Sequence, residues 1–388
     1  MIYANYAATT PALSPGVTRE LRSYLGETHL NAARNFEGLE AGAIALRARK
    51  ALARLFGAES PLQVVFTSGA TAGLNLVIQG LVRPGDHVLA TMVEHNAVAR
   101  PLEALRKTGI ITVDWLPCDA EGFLDPQQVR QGIKKNTRLL ILSHASNVLG
   151  TLLPVAECFS IAREQGVFTL LDAAQTAGVI PLTRELGADG IVFTGHKGLG
   201  ALAGIGGLVL GEEVSQAMRP WIAGGTGSAS ASLDMPLFLP DKFEPGTQNT
   251  MGILSLAVSV EELLDIGVET IREQEKALTS RFISGLEALS NVRLYGPKEP
   301  DHRTAPVSLG IQGSDPGEVA GSLFEKHRIV TRSGLHCAPL AHKTAGTYPE
   351  GTVRFSFGRG STEAEVDSTL EALATYGGGP TSGFRVPV

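Results

Sequence analysis

Leu170-Leu-Asp172-Ala-Ala-Gln175 and Ile191-Val-Phe-Thr194-Gly-His196-Lys197-Gly198 are two short apolar runs, each followed at once by ionisable residues. Uninterrupted apolar runs of this length read as strands buried on both faces. One strand-to-strand crossover separates Asp172 from Lys197. Both should therefore project from the carboxyl ends of neighbouring or near-neighbouring strands, where open α/β sheets bind ligands. The plain alternatives are a helix N-cap for the aspartate and a solvated surface lysine. The glycine-rich, apolar surroundings of Lys197 argue against the second. A lysine held beside an apolar sheet loses basicity and becomes able to form a Schiff base.

Outward from these runs, the pattern repeats. Strands are predicted at 63–66, 87–93, 110–116, 138–143, 167–171, 190–193 and 207–210, with helices at 72–81, 98–107, 126–134 and 155–165. Strands separated by helices imply a mainly parallel sheet covered on both faces. From about Met251 the texture changes to two long helical patterns, 252–266 and 268–289. Strands near 292–294 and 306–311, a helix near 316–327, strands near 329–331 and 352–357, and a helix near 362–375 follow. The expected architecture is an α/β protein with a large domain over 15–250. A smaller α+β domain is made from 1–14 and 251–376, and 377–388 is a glycine-rich tail of linker composition.

The chain of 388 residues is 43% hydrophobic and 19% charged, which excludes disorder for its bulk. A net charge of −6 argues against a broad nucleic-acid-binding face, and no run approaches the apolar length of a membrane span. Cys118, Cys158 and Cys337 are too few and too scattered for a disulfide scaffold, and no Cys-x-x-Cys pair suggests a metal. The start, Met-Ile-Tyr-Ala-Asn-Tyr, is expected to carry no signal peptide. A cytoplasmic protein follows as the expectation.

Thr67-Ser-Gly-Ala70-Thr71-Ala-Gly-Leu-Asn75 follows a strand and opens a helix. Small residues there let a ligand approach unpaired N–H groups at the positive end of the helix dipole, which makes a phosphate cradle. An ordinary capped turn is the alternative. Neither nucleotide motif, Gly-x-Gly-x-x-Gly or the Walker A pattern, is matched. Cys337 follows a strand, within Arg332-Ser-Gly-Leu-His336-Cys337-Ala338. Arg332 and His336 would favour a thiolate there. Cys118 and Cys158 read as small buried hydrophobes.

Asp172-Ala-Ala-Gln175 followed by Thr194-Gly-His196-Lys197 resembles the pyridoxal-phosphate signature of the class V aminotransferase family, fold type I. The Arg332-to-Ala338 run is most similar to that of the cysteine desulfurases and selenocysteine lyases of the Suf type. The resemblance extends over residues 2–375.

It implies pyridoxal 5'-phosphate held by Lys197, which then carries protons. Asp172 would pair with the pyridine nitrogen and Gln175 with the 3-oxygen of the ring. His95, in Val93-Glu-His95-Asn-Ala, would stack on the ring and move protons. Ala70, Thr71, Thr194 and His196 would bind the phosphate, and Asn147 would lie near the 3-oxygen and the substrate carboxylate. Phe243-Glu-Pro-Gly246-Thr247 matches a segment that reaches the partner's site, which implies a homodimer with shared sites and Thr247 on the phosphate in trans. Arg354, a charge inside a strand-like run, would anchor the α-carboxylate through its fork of donors.

The implied activity is cysteine desulfuration: L-cysteine becomes L-alanine and the sulfur passes to Cys337 as a persulfide. The sulfur would then go to an acceptor protein, with iron–sulfur cluster assembly among the implied pathways. Selenocysteine lyase, or another class V transaminase or β-lyase acting on a small amino acid, is the alternative. Three places depart from the family pattern: Asn5-Tyr6 before Ala7-Ala8-Thr9, the Asn31-Ala-Ala-Arg34 segment without a following histidine, and Ala229 where a bulkier polar residue is common.

Overall fold

A computed structural model describes residues 1–26 and 38–376. The expectations for the Asn31-to-Arg34 segment and for the 377–388 tail fall outside these residues. In chain order the elements are β1 (Ile2–Tyr3), α1 (Pro15–Leu25), α2 (Gly38–Phe56), β2 (Val64–Thr67), α3 (Ala70–Leu81), β3 (His87–Thr91), α4 (Asn96–Lys107), β4 (Thr112–Leu116) and α5 (Pro126–Gly132). Next come β5 (Thr137–Ser143), α6 (Val155–Glu164), β6 (Phe168–Asp172), β7 (Gly190–Thr194), β8 (Gly206–Leu210), α7 (Glu212–Ala217), α8 (Thr250–Ile266) and α9 (Val268–Glu287). The last are β9 (Val292–Tyr295), β10 (Val307–Ile311), α10 (Pro316–His327), β11 (Ile329–Val330), β12 (Arg332–Gly334), α11 (Pro339–Thr344), β13 (Thr352–Phe355) and α12 (Glu363–Tyr376).

Seven strands form one sheet in the order β2-β8-β7-β6-β5-β3-β4. The pairs β6–β7, β5–β6, β3–β5 and β3–β4 are parallel, while β8 runs antiparallel to both β7 and β2. The reversal has a local cause: residues 195–205 between β7 and β8 form a shorter connection than a parallel crossover needs, whereas the longer stretch 173–189 returns the chain in parallel from β6 to β7. Side chains alternate between two cores. Leu140, Leu142, Ile191 and Phe193 pack on one face with Phe56 and Phe159; Leu139, Ile141 and Val192 pack on the other with Leu74 and Val98. Each such fully buried side chain stabilises the fold by roughly 1.5–3 kcal/mol, which is why the strands read as continuous apolar runs.

A second, antiparallel sheet has the order β12-β13-β10-β9. It packs against α9, α10 and α12 through Phe282, Leu323, Leu370 and Phe355. Asp315 starts α10 by accepting the N–H groups of Gly317 and Glu318, with Pro316 at the first helical position. The single strand expected at 329–331 is split. β11 pairs in parallel with β1, the chain turns at Thr331, and β12 joins β13. The start of the chain is thus tied to a segment near its end, and an Asn5–Ser356 bridge continues the tie.

Close backbone approach sets the geometry where β7, β8 and α3 meet. A Cβ on Gly206 would lie 2.6 Å from the Phe193 carbonyl oxygen and 2.7 Å from the Gly69 Cα. Gly69 itself has φ +141, a conformation that disfavours any side chain. Together they let the first turn of α3 settle against the end of β7.

Candidate active site

The carboxyl ends of β5, β6 and β7 carry Ser143, Asp172 and Thr194, and these open into a cavity of about 220 Å³. Ala70, Thr71, His95, Asn147, Asp172, Gln175, Thr194, His196, Lys197 and Arg354 all line it, so residues spread over much of the sequence converge on one space. Thr247 does not. It is exposed in a separate groove beside Gly224–Gly227 and Ala229, and Ala229 has a left-handed φ of 49.

Lys197 follows β7 in a turn held from the other end of the chain. Thr10 donates to the Lys197 carbonyl at 2.7 Å, and the His196 carbonyl accepts from Thr9 Oγ1 at 3.1 Å. Burial, helped by the Arg354 and Arg332 charges and opposed by Asp172, lowers the Lys197 pKa to about 8. Asp172 is buried, and burial holds its carboxyl above the usual range. Its Oδ1 accepts the Ala174 N–H at 2.9 Å, so it also caps the turn that follows β6.

The start of α3 behaves as an anion site. Gly69 is its N-cap and no side chain caps it, which leaves N–H groups in the first turn for a ligand. His196 faces the same space, with Nδ1 3.0 Å from Thr9 Oγ1.

His95 has two roles at once. Nδ1 accepts the Ala97 N–H at 3.0 Å and caps α4. The neutral ring must then carry its proton on Nε2. Burial, aided by Lys197 and Arg332, lowers its pKa to about 4. The ring is therefore neutral, with an N–H donor for the cavity.

Arg354 is 1% exposed, on the strand β13. Nη1 donates to the Asn147 carbonyl at 2.8 Å and Nη2 to Asn5 Oδ1 at 3.2 Å, while Nε has no partner. Burial and the neighbouring Arg332 lower its pKa to about 9. Asn147 Nδ2 donates to the His336 carbonyl at 2.8 Å, and its buried Oδ1 is unpartnered. Both residues line the cavity, and each carries a buried polar atom without a partner, which costs about 1–3 kcal/mol if left unpaired.

Cys337 is exposed, and Arg332 Nη2 lies 3.5 Å from its sulfur. The expectation that His336 also supplies charge is corrected. Its ring is buried and hydrogen-bonded away from the thiol, and burial pushes its pKa down to about 2. Burial pushes the Cys118 and Cys158 thiols up to about 12, as befits packed hydrophobes.

Several site residues escaped the sequence reading. Ala7 and Ala8 line the cavity from the first segment of the chain. Glu94 is fully buried beside it, accepting from Ser143 N–H and Oγ and from Thr91 Oγ1. An acid one residue before His95, in an apolar run, was the available signal. Among the described residues no cluster of His, Cys, Asp and Glu could hold a metal ion, and no helix is long and apolar enough to cross a membrane.

The model of the class V aminotransferase family matches residues 2–369. A probable cysteine desulfurase of Methanothermobacter thermautotrophicus is 32% identical over 97% of this chain and 95% of its own length. The apo structure of a cysteine desulfurase from Thermococcus onnurineus superposes with a TM-score of 0.90 at 30% identity, covering 97% of this chain and 94% of that one. An Escherichia coli cysteine desulfurase structure gives a TM-score of 0.86 at 26% identity, over 96% and 94% of the two chains.

Proposed function

The chain belongs to the class V aminotransferase family, and from that premise we propose that it is a pyridoxal-phosphate-dependent cysteine desulfurase, turning L-cysteine into L-alanine with Cys337 taking the sulfur. One observation carries the reading: a cavity holds an amine of lowered basicity among a buried carboxylate and an uncapped helix end, beside an exposed cysteine with an arginine at its sulfur.

The residues fit the cofactor by their chemistry. The uncapped first turn of α3, Thr194 and His196 suit a phosphate. A buried Asp172 whose proton affinity is raised by burial suits a cationic ring nitrogen, which would return it to the carboxylate form. Gln175 and Asn147 line the same cavity, and their amides would suit the 3-oxygen of the ring. When bound, pyridoxal phosphate supplies an electron sink for the charge left on the substrate Cα.

The chain's own residues do the rest. Lys197 Nζ would hold the cofactor and carry a proton to and from the substrate carbons. Its pKa of about 8 suits both loss and return of that proton near neutrality. Arg354, with an unpartnered Nε, holds the α-carboxylate. His95 offers Nε2–H over the cavity. The Cys337 thiolate attacks the substrate sulfur: an S–S bond forms as the Cβ–S bond breaks, the bonding pair stays with carbon, and a proton at Cβ completes alanine.

We further read the protein as a homodimer, because Thr247 lies outside its own chain's cavity and is exposed to reach another's. The persulfide sulfur would pass to an acceptor protein in the cytoplasm, for iron–sulfur cluster assembly. The exposure of Cys337 supports a hand-over.

The test is product identification. The protein loaded with pyridoxal phosphate should release alanine and, with a reductant, sulfide from L-cysteine, and Cys337→Ala should release neither at a comparable rate. Pyruvate in place of alanine, or equal rates for both proteins, would overturn the reading. Faster turnover of selenocysteine than of cysteine would move the assignment to a selenocysteine lyase.

A further inference from the structure

His336 and Cys337 are consecutive non-glycine residues in the left-handed region, with φ of 50 and 57. That conformation is unfavourable for residues with a Cβ, so surrounding contacts must impose it. Two backbone contacts are evident. Asn147 Nδ2 donates to the His336 carbonyl at 2.8 Å, and the Asn96 N–H donates to the Cys337 carbonyl at 2.7 Å.

A side-chain chain lies beneath the same turn. His336 Nε2 is 3.1 Å from the Arg332 carbonyl oxygen, and His336 Nδ1 is 3.3 Å from His342 Nε2. His342 Nδ1 is 2.7 Å from Thr347 Oγ1. The rings stack at 5.5 Å between centroids, and both residues are buried, at 2% and 0% exposure.

The carbonyl sets the direction of the whole chain. It can only accept, so His336 Nε2 carries the proton. The neutral His336 ring then has a bare Nδ1, which must accept from His342 Nε2–H. The neutral His342 ring has a bare Nδ1 in turn, which accepts from the Thr347 hydroxyl. Burial, with Arg354 nearby, depresses the pKa of both rings, so neutral forms are the ones present.

We propose that His342 is a positioning residue for sulfur transfer: this one-directional chain from Thr347 to the Arg332 carbonyl fixes the His336 ring and so the left-handed turn that presents Cys337. Its end at the Arg332 carbonyl also places the residue whose guanidinium meets the thiol. The inference rests on the reading of Cys337 as sulfur acceptor, and two of its readouts need no turnover.

In [¹⁵N]histidine-labelled protein at pH 7, both rings should appear as neutral Nε2–H tautomers. His342→Leu should slow alkylation of Cys337 by iodoacetamide and lower the single-turnover rate of Cys337 persulfide formation about tenfold, as expected for a misplaced reacting atom. The KM for cysteine should change less than the single-turnover rate, because His342 itself does not line the cavity. His342→Gln keeps a donor that can reach His336 Nδ1, and should restore both rates to within about threefold of the parent. A proton on His336 Nδ1 would overturn the proposal, and in the unmodified protein that measurement does not depend on either variant folding. So would parental alkylation in His342→Leu, or equal impairment of the two variants. If the parent forms no persulfide while the tautomers and alkylation rates are as stated, the sulfur-acceptor reading fails and the positioning chain stands.

Discussion

Arg332 Nη2 stands 3.5 Å from Cys337 Sγ, and among the two basic residues beside the thiol in sequence it is the one that faces it. His336 turns inward and is neutral. The guanidinium is thus the charged group that meets the sulfur. Arg332→Met keeps most of the apolar stem and removes the charge. It should lower the rate of Cys337 alkylation at pH 7 roughly tenfold, the effect of losing one charge-assisted contact. Thiol-specific labelling followed by peptide mass spectrometry reads this directly; an unchanged rate would remove Arg332 from thiol activation.

Arg354 has its Nε unpartnered and its Nη groups committed to Asn147 and Asn5. Arg354→Lys keeps a charge but loses the planar fork. A hydrogen bond to a charged group is worth about 1.5–3 kcal/mol, so the KM for L-cysteine should rise about ten- to hundredfold. Steady-state alanine release checks this, and an unchanged KM would assign the carboxylate to another group.

Lys197 has its pKa lowered to about 8, first by burial. Only the neutral amine condenses with an aldehyde. Loading of the apoprotein with pyridoxal phosphate should therefore speed up as pH rises through about 8 and level off above it. Asp172 raises this pKa, so Asp172→Asn should move the midpoint to lower pH. Stopped-flow absorbance across pH measures both; a midpoint near that of ordinary lysine would contradict the burial argument.

Glu94 is fully buried, and burial raises its pKa to about 7. The folded protein keeps this proton where the unfolded chain, titrating near 4.5, has lost it. Its contribution to stability is full below about 4.5 and declines as pH rises to about 7, by about 3 kcal/mol at most. Glu94→Gln removes that dependence. Its Tm relative to the parent should thus improve between pH 5 and about pH 7 and level off above it, whatever the offset from its altered contacts with Ser143 and Thr91. Calorimetry at three pH values suffices, and a flat difference would show that Glu94 is ionised when folded.

Most of the sheet was legible because its strands are buried on both faces: apolar runs such as 139–142 and 191–193 need no partner to be recognised. Asp172 and Lys197 were legible for the same reason, as polar residues that interrupt those runs at the ligand edge. Contacts between distant parts of the chain leave no such trace. The β1–β11 pairing, the Asn5–Arg354 hydrogen bond and the packing of Thr9 and Thr10 on the lysine turn arise only once the two ends meet. The inward turn of His336 was equally hidden, since left-handed φ at His336 and Cys337 is not announced by residue type, as it would be at glycine. Sequence proximity therefore credited His336 with a charge that its burial removes.

One measurement bears most directly on sulfur leaving the substrate onto this chain. The loaded protein is mixed with one equivalent of L-cysteine, quenched with an alkylating agent and digested, and the Cys337 peptide is weighed while free alanine is counted. The account predicts one added sulfur atom on that peptide for each alanine formed, with Cys118 and Cys158 unchanged. Alanine formed in full while the Cys337 peptide stays unmodified from the earliest times would contradict it.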